Sequence, residues 1–282
     1  MFKNLKRFIG TALAITGVCA CTATMTACET PHPEVQITLS FNDETYTLDY
    51  VLYRNITPAT VNHFLALAEN KYYDGLCVHN YTSDALYTGA YSYANEQLVY
   101  KNYFDTVASY NNMPQTVWLD SEKTSPTYTL YGEFEANYFS VENGDLSESF
   151  GALVMYYSDK DTESEVYVQR NQDGKLAPRS YKKNSATSQF YISLSESNSS
   201  NNDYCVFATL KESSVSVLES LQTAIADYIS DTYGEDEETD FVTKTTMKID
   251  EDDEVLGGNG SNETYDVPNE PIVVTSVKVK KF

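Results

Sequence analysis

The chain has 282 residues, which is enough for one large domain or two small ones. Hydrophobic residues make up 41% of it and suffice for a core, while 24 tyrosines against 12 phenylalanines indicate many half-buried rings with a polar tip. The formal net charge of −22 repels phosphate backbones and anionic lipid, so the composition argues against nucleic-acid binding.

The first 27 residues have the pattern of an export signal. Three basic residues within the first seven precede an apolar run over residues 8–18. The segment MTAC ends at Cys28 and resembles a bacterial lipobox, in which the cysteine is lipidated and becomes the new N-terminus. Cys21 is a second candidate for lipidation, and simple secretion or a retained anchor is the remaining alternative. We therefore predict a lipoprotein-type signal peptide over 1–27, a tether over 28–34 and an extracytoplasmic protein anchored by lipid to the bacterial cell membrane.

The next part of the chain predicts a β-hairpin followed by a helix. Apolar and polar residues alternate over 35–41, and a second strand over 46–52 follows an Asn-Asp turn. Thr57 and Pro58 supply an N-cap and a first-turn proline for a helix that reaches about Glu69.

The rest of the chain predicts mostly strands and one more helix. The second helix is expected over 215–229, and a final strand over 272–279. Other strands are predicted at 76–81, 85–91, 152–157, 189–194 and 205–210. Alternation alone supports a mostly-β domain and no narrower class. Cys77 and Cys205 lie in apolar, strand-like surroundings, so buried thiols are expected there, with a disulfide between them as the weaker alternative.

The segment NSATSQFYI, at residues 184–192, points to a family. Alternation along a strand places Gln189 and Tyr191 on the same face. This segment resembles the peptide-facing strand of the cyclophilins, the proline cis/trans isomerases. Further blocks resemble the family in the right order, at 56–68, 72–79, 131–139, 151–155 and 206–207. The resemblance implies a closed antiparallel β-barrel capped by two helices, built from residues 35–282 as a single domain.

Three segments are long insertions by comparison with an ordinary cyclophilin, at about 92–130, 158–183 and 227–270. The third contains two acidic clusters, which raises the alternative of a calcium site, but the ligand spacing of a calcium loop is absent. We expect this insertion to be a solvated, mobile excursion. The sequence predicts no second domain, no metal site and no cofactor.

The family resemblance implies a catalytic arginine at a position where this chain has Asn80. Rotation about a peptide bond faces a barrier of about 18–20 kcal/mol, and cyclophilins stabilise the twisted state by hydrogen-bonding the prolyl nitrogen from that arginine. An asparagine amide can donate a hydrogen bond, but it is neutral and shorter. By analogy with the loss of one preorganised donor, the change predicts a rate lower by about 10²–10³.

The resemblance also implies which residues bind peptide. On the strand after Asn80, the family's pocket phenylalanine is replaced by Ala85, its methionine by Leu86 and its backbone-binding glutamine by Thr88. Leu86 and Thr88 are therefore candidate substrate-binding residues.

The opposite wall is implied by four further positions. Gln189 is retained as a candidate catalytic residue, and Tyr191 stands where a phenylalanine forms the pocket floor. Tyr156 and Tyr157 replace an Ala-Asn pair that binds peptide backbone, and their bulk is expected to narrow the groove. Tyr204 lies where a substrate-contacting histidine or tyrosine is found.

Another arginine is a candidate substitute for the missing one. Arg54 is expected at the surface near the end of the second strand, whereas Arg170 and Arg179 lie in the second insertion, which borders the active site in the family. Arg179 is the candidate we name. His79 is expected to be a core histidine, and His63 to lie on a helix surface.

These residues are compatible with three alternative functions. The first is a lipid-anchored prolyl isomerase of low activity that assists the folding of exported proteins, since X-Pro isomerisation is slow. The second is a pseudo-isomerase that binds proline-containing segments without turning them over. The third is a surface interaction protein that works through its insertions. We favour an isomerase-family lipoprotein with weak or absent catalysis, acting as a monomer.

Overall fold

The structure is a computed structural model. It describes residues 30–134, 146–156, 165–171, 173–180, 185–195, 205–234, 238–248 and 262–282. The predicted signal peptide, both lipidation candidates, Tyr157 and Tyr204 lie outside these residues.

The described chain contains short strands and one long helix. The helices are α1 (Pro58–Glu69), α2 (Tyr103–Val107), α3 (Glu212–Tyr233) and α4 (Glu238–Phe241). The first nine strands are β1 (Glu34–Phe41), β2 (Glu44–Leu52), β3 (Leu76–Cys77), β4 (Asn80–Thr82), β5 (Ala85–Thr88), β6 (Tyr91–Ala94), β7 (Gln97–Tyr100), β8 (Val117–Trp118) and β9 (Leu130–Tyr131). The others are β10 (Leu153–Met155), β11 (Glu165–Gln169), β12 (Leu176–Ser180), β13 (Ser185–Ala186), β14 (Phe190–Ser193), β15 (Cys205–Leu210), β16 (Val242–Lys248), β17 (Asn262–Pro268) and β18 (Val273–Lys281).

One large antiparallel sheet organises the domain. Within the described residues it joins eleven strands in the order β4-β5-β14-β10-β15-β2-β1-β18-β3-β6-β7. The segment 76–82 contributes strands near both ends of this order, β3 and β4. Between them, Val78 N donates to Ile272 O (2.8 Å) and His79 N donates to Tyr87 O (3.0 Å). The predicted mostly-β class is confirmed, with one adjustment to the expected closed barrel. The sheet curls into a half-barrel whose two sides meet on this single segment instead of closing through an unbroken ladder.

The predicted hairpin and first helix are confirmed. β1 alternates buried and half-buried residues along its length, as a strand with one face on the core should. Thr57 is the N-cap residue and Pro58 follows it, as predicted, but the Thr57 side chain makes no cap hydrogen bond. The buried carboxylate of Glu133 instead accepts from Ala59 N (3.1 Å) and Thr60 N (2.7 Å), and a carboxylate there also suits the positive end of the helix dipole.

Aromatic rings fill the interior between the sheet and α1. Phe64 lies 5.4 Å from Phe190 and 5.1 Å from Phe207, measured between ring centroids. The predicted second helix is confirmed and is longer than expected. Its buried face consists of Ser214, Leu218, Leu221, Ile225 and Ile229.

Both core cysteines are buried thiols, as predicted. The thiol of Cys205 lies 3.4 Å from Thr60 Oγ1, and burial raises the pKa of Cys77 to about 12. No disulfide is formed between these two residues.

The insertions carry ordered structure in the described part of the chain. β11 and β12 from the second insertion form a three-stranded sheet with β8 from the first. In the third, β16 pairs with β17 over seven residue pairs. The expected solvated excursion is therefore wrong for 242–248 and 262–268, because Tyr265 and Val267 bury their side chains against Tyr91 and Leu98. The acidic cluster at 250–254 lies outside the described residues.

Two predicted surface residues are buried instead. Arg54 is only 8% exposed, and it donates to Asn62 Oδ1 (2.7 Å) and Thr30 O (2.9 Å). His63 packs inside α1 with Nε2 3.0 Å from the Tyr103 hydroxyl, and burial lowers its pKa to about 4. Their hydrogen-bond partners lie 8 to 40 residues away along the chain, so nothing local in the sequence marks these two residues as buried.

The predicted tether packs against the domain from Thr30 onward. Thr30 N donates to Phe282 O (3.2 Å), and Leu52 N donates to Pro33 O (2.8 Å). Among the described residues, no helix is long and apolar enough to cross a bilayer.

Candidate functional site

A row of five side chains crosses the sheet on the face opposite the main core. Strand register aligns Asn80 with Tyr87, Tyr87 with Tyr191, Tyr191 with Val154 and Val154 with Val206. We call this set the outer-face row. Its alternate neighbours point the other way, into the main core, so the row is set by the two-residue period of each strand.

The middle of the outer-face row is aromatic. The rings of Tyr87 and Tyr191 are 4.9 Å apart, and Tyr156 meets Tyr87 edge-on at 6.0 Å. Tyr156 N donates to Gln189 O (3.0 Å), which fixes this tyrosine beside the start of β14. Tyr87 and Tyr156 are half-buried and Tyr191 is 8% exposed, so the three rings form a partly accessible apolar surface.

The far end of the outer-face row is covered. Val154 and Val206 are fully buried in a cluster with Leu146, and Ile56 packs against the same cluster. A ligand that approaches this face can therefore reach the aromatic middle and the Asn80 end, but not the valines.

Asn80 forms the polar end of the row and contacts the third insertion. It is half-buried, and its Oδ1 accepts a hydrogen bond from Asp266 N at 2.9 Å. Because one side of a planar amide is held in this way, the amide nitrogen is the only hydrogen-bonding group of the side chain left to point elsewhere.

His79 lies directly behind this position and stays neutral. Its ring is buried between Tyr91 (4.9 Å) and Tyr265 (5.0 Å). Burial lowers its pKa to about 3, partly opposed by a hydrogen bond with the Gln189 side chain. The histidine is therefore a core residue, as predicted, and it anchors Gln189 at the edge of the aromatic surface.

Comparison with known proteins identifies the family of this chain. The family model for the cyclophilin type peptidyl-prolyl cis-trans isomerase/CLD matches residues 36–249. The chain belongs to the cyclophilin family. A search of curated proteins finds no match.

Solved structures of a cyclophilin from Cryptosporidium parvum are among those similar to this chain. A crystal structure of that cyclophilin type peptidyl-prolyl cis-trans isomerase is 14% identical, covers 89% of this chain and 99% of its own, and superposes with a TM-score of 0.45. The same enzyme crystallised in the presence of the dipeptide Ala-Pro gives 14% identity, 88% and 99% coverage and the same TM-score.

Several family positions named from the sequence come together on the outer face. Asn80, Gln189, Tyr191 and Tyr156 all border the aromatic surface, contributed by β4, the start of β14 and the end of β10. Ala85 is also on this face, buried beside Tyr191 in the same apolar cluster.

Leu86 and Thr88 take the opposite orientation. Leu86 is fully buried in the main core, and Thr88 Oγ1 donates to Cys77 O (2.8 Å) within the buried interior. In this conformation neither side chain reaches the outer face, and Tyr87 between them lies in the outer-face row instead. Tyr87 is the groove residue that sequence reasoning missed, although the period of two along β5 carries the signal once the register is known.

The close approach of β5 to the start of β14 depends on a glycine. Gly89 has a φ of +106°, and a Cβ added to it would collide with the Ser188 carbonyl oxygen. Ser188 Oγ donates to Gly89 O (2.6 Å), which ties the loop before Gln189 to the end of β5. These contacts place Gln189 next to His79.

Neither arginine of the second insertion contacts the outer-face row in the described contacts. Arg170 forms an ion pair with Asp173 on its own turn. Arg179 lies opposite Val166 in the β11–β12 pair and donates to Pro178 O at 3.1 Å. Arg179 as a substitute catalyst stays a prediction.

Proposed function

We propose that this cyclophilin binds proline-containing segments of exported proteins on the aromatic surface of its outer-face row, and that it catalyses their isomerisation weakly or not at all. The observation that carries the proposal is the hydrogen bond between Asp266 N and Asn80 Oδ1. It is made at the position where the family resemblance implies a catalytic arginine.

The weak-catalysis part of the proposal follows from what the twisted peptide bond needs. Only an interaction that strengthens in the twisted state accelerates rotation. Asn80 has no charge, and its oxygen is already engaged, so its amide NH2 group can offer only neutral N–H donors. A neutral donor is worth roughly half of a charge-assisted one.

The binding part of the proposal is supported by the tyrosines. Tyr87, Tyr156 and Tyr191 pack against each other, so their rings are held in place before a ligand arrives. Tyrosine is enriched at protein interfaces because a rigid ring combines apolar area with a polar tip. Gln189 beside them is oriented by His79 and can hydrogen-bond a peptide backbone.

We also propose that the domain works at the outer side of the bacterial membrane. If Cys28 carries lipid, only one residue separates it from Thr30, which is already hydrogen-bonded to Phe282 and Arg54. The anchor would then hold the domain directly at the bilayer surface, where exported chains emerge.

The test is prolyl isomerisation by the full-length protein in detergent, measured by NMR exchange on an Ala-Pro peptide. Wild type is expected near the uncatalysed rate, and Asn80→Arg is expected to raise the rate by about 10². Asn80→Lys is the matched control, because it adds a charge without the planar fork of arginine. A wild type far above background that Asn80→Arg does not improve would contradict the proposal.

A second candidate function is a surface interaction protein that works through the insertions. The observation in its favour is that two insertions share a sheet, since β8 pairs with β11. Replacing 165–180 by a short Gly-Ser linker separates the two functions. Binding of Ala-Pro peptides survives this replacement if the outer-face row is the working part, provided that circular dichroism shows the fold is retained.

A further inference from the structure

A cleft of about 850 Å³ lies between the β6–β7 hairpin and the β16–β17 pair. It is separate from the aromatic surface, and the two insertions that flank it are absent from the ordinary family pattern. The residues that line the cleft are Tyr93, Glu96, Gln97, Leu98, Thr243, Thr245, Met247, Val267, Pro268, Asn269 and Pro271.

The floor of the cleft is apolar. Tyr93 and Leu98 face each other across β6 and β7, and they pack in one cluster with Met247 and Val267. Leu98 and Val267 are buried, whereas Tyr93 and Met247 are half-buried and present part of their surface to the cleft.

One wall of the cleft has the repeat of an extended chain. Thr243, Thr245 and Met247 line it from alternate positions of β16, so they are spaced at about 6.7 Å. An extended peptide lying along this wall has the same side-chain repeat, so successive side chains on one of its faces meet equivalent positions. The wall therefore favours an extended peptide over a compact small molecule.

The charge at the cleft is negative. Glu96 is exposed on the turn between β6 and β7. Burial raises the pKa of Tyr93, and the nearby carboxylates of Glu96 and Glu270 raise it further. Lys244 points to the other side of β16, where it lies 3.8 Å from Asp266. Among the described lining residues Glu96 alone is charged, and a tyrosine face beside it can also attract a cation.

We propose that this cleft binds an extended peptide segment in which apolar residues alternate with lysine or arginine. Apolar side chains would occupy the floor of Tyr93, Leu98 and Met247, and basic side chains would meet Glu96. The site goes beyond the proline groove. The cleft and the Asn80 position lie on opposite faces of β17, because Asp266 contacts Asn80 and the next residue, Val267, lines the cleft.

The experiment uses proline-free peptides, which cannot report on the groove. Full-length protein labelled with ¹³C at its five methionine methyls is titrated with Ac-VKVKVK-NH₂ and, separately, with Ac-VEVEVE-NH₂. The Met247 methyl signal is expected to shift and saturate with the basic peptide only. Met113 and Met155, both buried elsewhere, are expected to stay in place.

Two matched variants separate the cleft from general attraction to an acidic protein. Glu96→Gln is expected to weaken binding by about threefold, as the loss of one exposed charge pair should. Glu219→Gln removes an equal charge from the exposed face of α3 and is expected to leave the affinity unchanged. No Met247 shift, an equal response to both peptides, or equal weakening by the two variants would overturn the proposal. None of these outcomes bears on the proline groove.

Discussion

The aromatic middle and the Asn80 end of the outer-face row differ in the contacts that hold them in place. In the middle, the rings pack on one another and on the neighbouring valines, and the surface is fixed by strands of the central sheet. At the Asn80 end, a single polar side chain is held by a backbone N–H of the third insertion. On the proposed function, peptide binding and the donor to the prolyl nitrogen therefore reside on separate strands. One can therefore change while the other is kept.

The largest effect is expected from removing Tyr191, in the aromatic middle of the outer-face row. Tyr191→Ala removes a ring that is 8% exposed and should cost about 3 kcal/mol of stability. It should also weaken binding of an Ala-Pro peptide about tenfold or more, as the loss of a central aromatic contact does. Calorimetric titration measures the affinity, with Tyr191→Phe as the control that retains the ring. Equal affinity in Tyr191→Ala would remove this tyrosine from the groove.

The next effect concerns His79, which lies behind Asn80, and the pH dependence of stability. The pKa of His79 is lowered to about 3, so the unfolded chain takes up a proton near pH 6.5 that the folded chain does not. The stability that His79 contributes is thus fully present above pH 6.5 and is lost as pH falls towards the folded pKa.

His79→Phe should therefore reduce the loss of stability between pH 7 and pH 5 by about 2 kcal/mol. Urea unfolding at the two pH values measures this difference, and the comparison within each protein cancels any constant change caused by the substitution. A variant with the same pH dependence as wild type would show that His79 can become charged inside the fold.

The smallest effect is expected from removing the hydrogen bond that holds Asn80. Asp266→Pro removes the N–H that Asn80 Oδ1 accepts, and it should cost about 1 kcal/mol and shift the Asn80 side-chain amide signals in an ¹⁵N spectrum. Asp266→Ala is the control, because it retains the backbone donor and loses only a long, exposed pairing with Lys244. Amide signals that move equally in both variants would argue against the hydrogen bond.

The sequence was sufficient for the frame of the fold. Alternation over the first two strands and the apolar spacing of both long helices correspond to β1, β2, α1 and α3, since these patterns arise from local periods. Family blocks supplied the rest of the architecture, which alternation alone leaves open.

The site was harder to predict, because the pairing register of each strand decides which of its side chains face outward. Leu86 and Thr88 were assigned to the groove, but β5 is paired so that Tyr87 faces outward. A shift of one residue reverses every side chain of a strand, and no local signal fixes that choice. The partner of Asn80 comes from the third insertion, and Glu133 caps α1 from 73 residues further along the chain, so both contacts could be found only in three dimensions.

The most direct test measures affinity and exchange rate on one sample of wild-type protein. An Ala-Pro peptide is titrated while its cis and trans signals are followed by NMR, so binding and interconversion are read together. Saturable shifts with an exchange rate near that of the free peptide are the predicted result. Fast exchange of the bound peptide would contradict the account, because it would require a catalyst that Asn80 cannot provide.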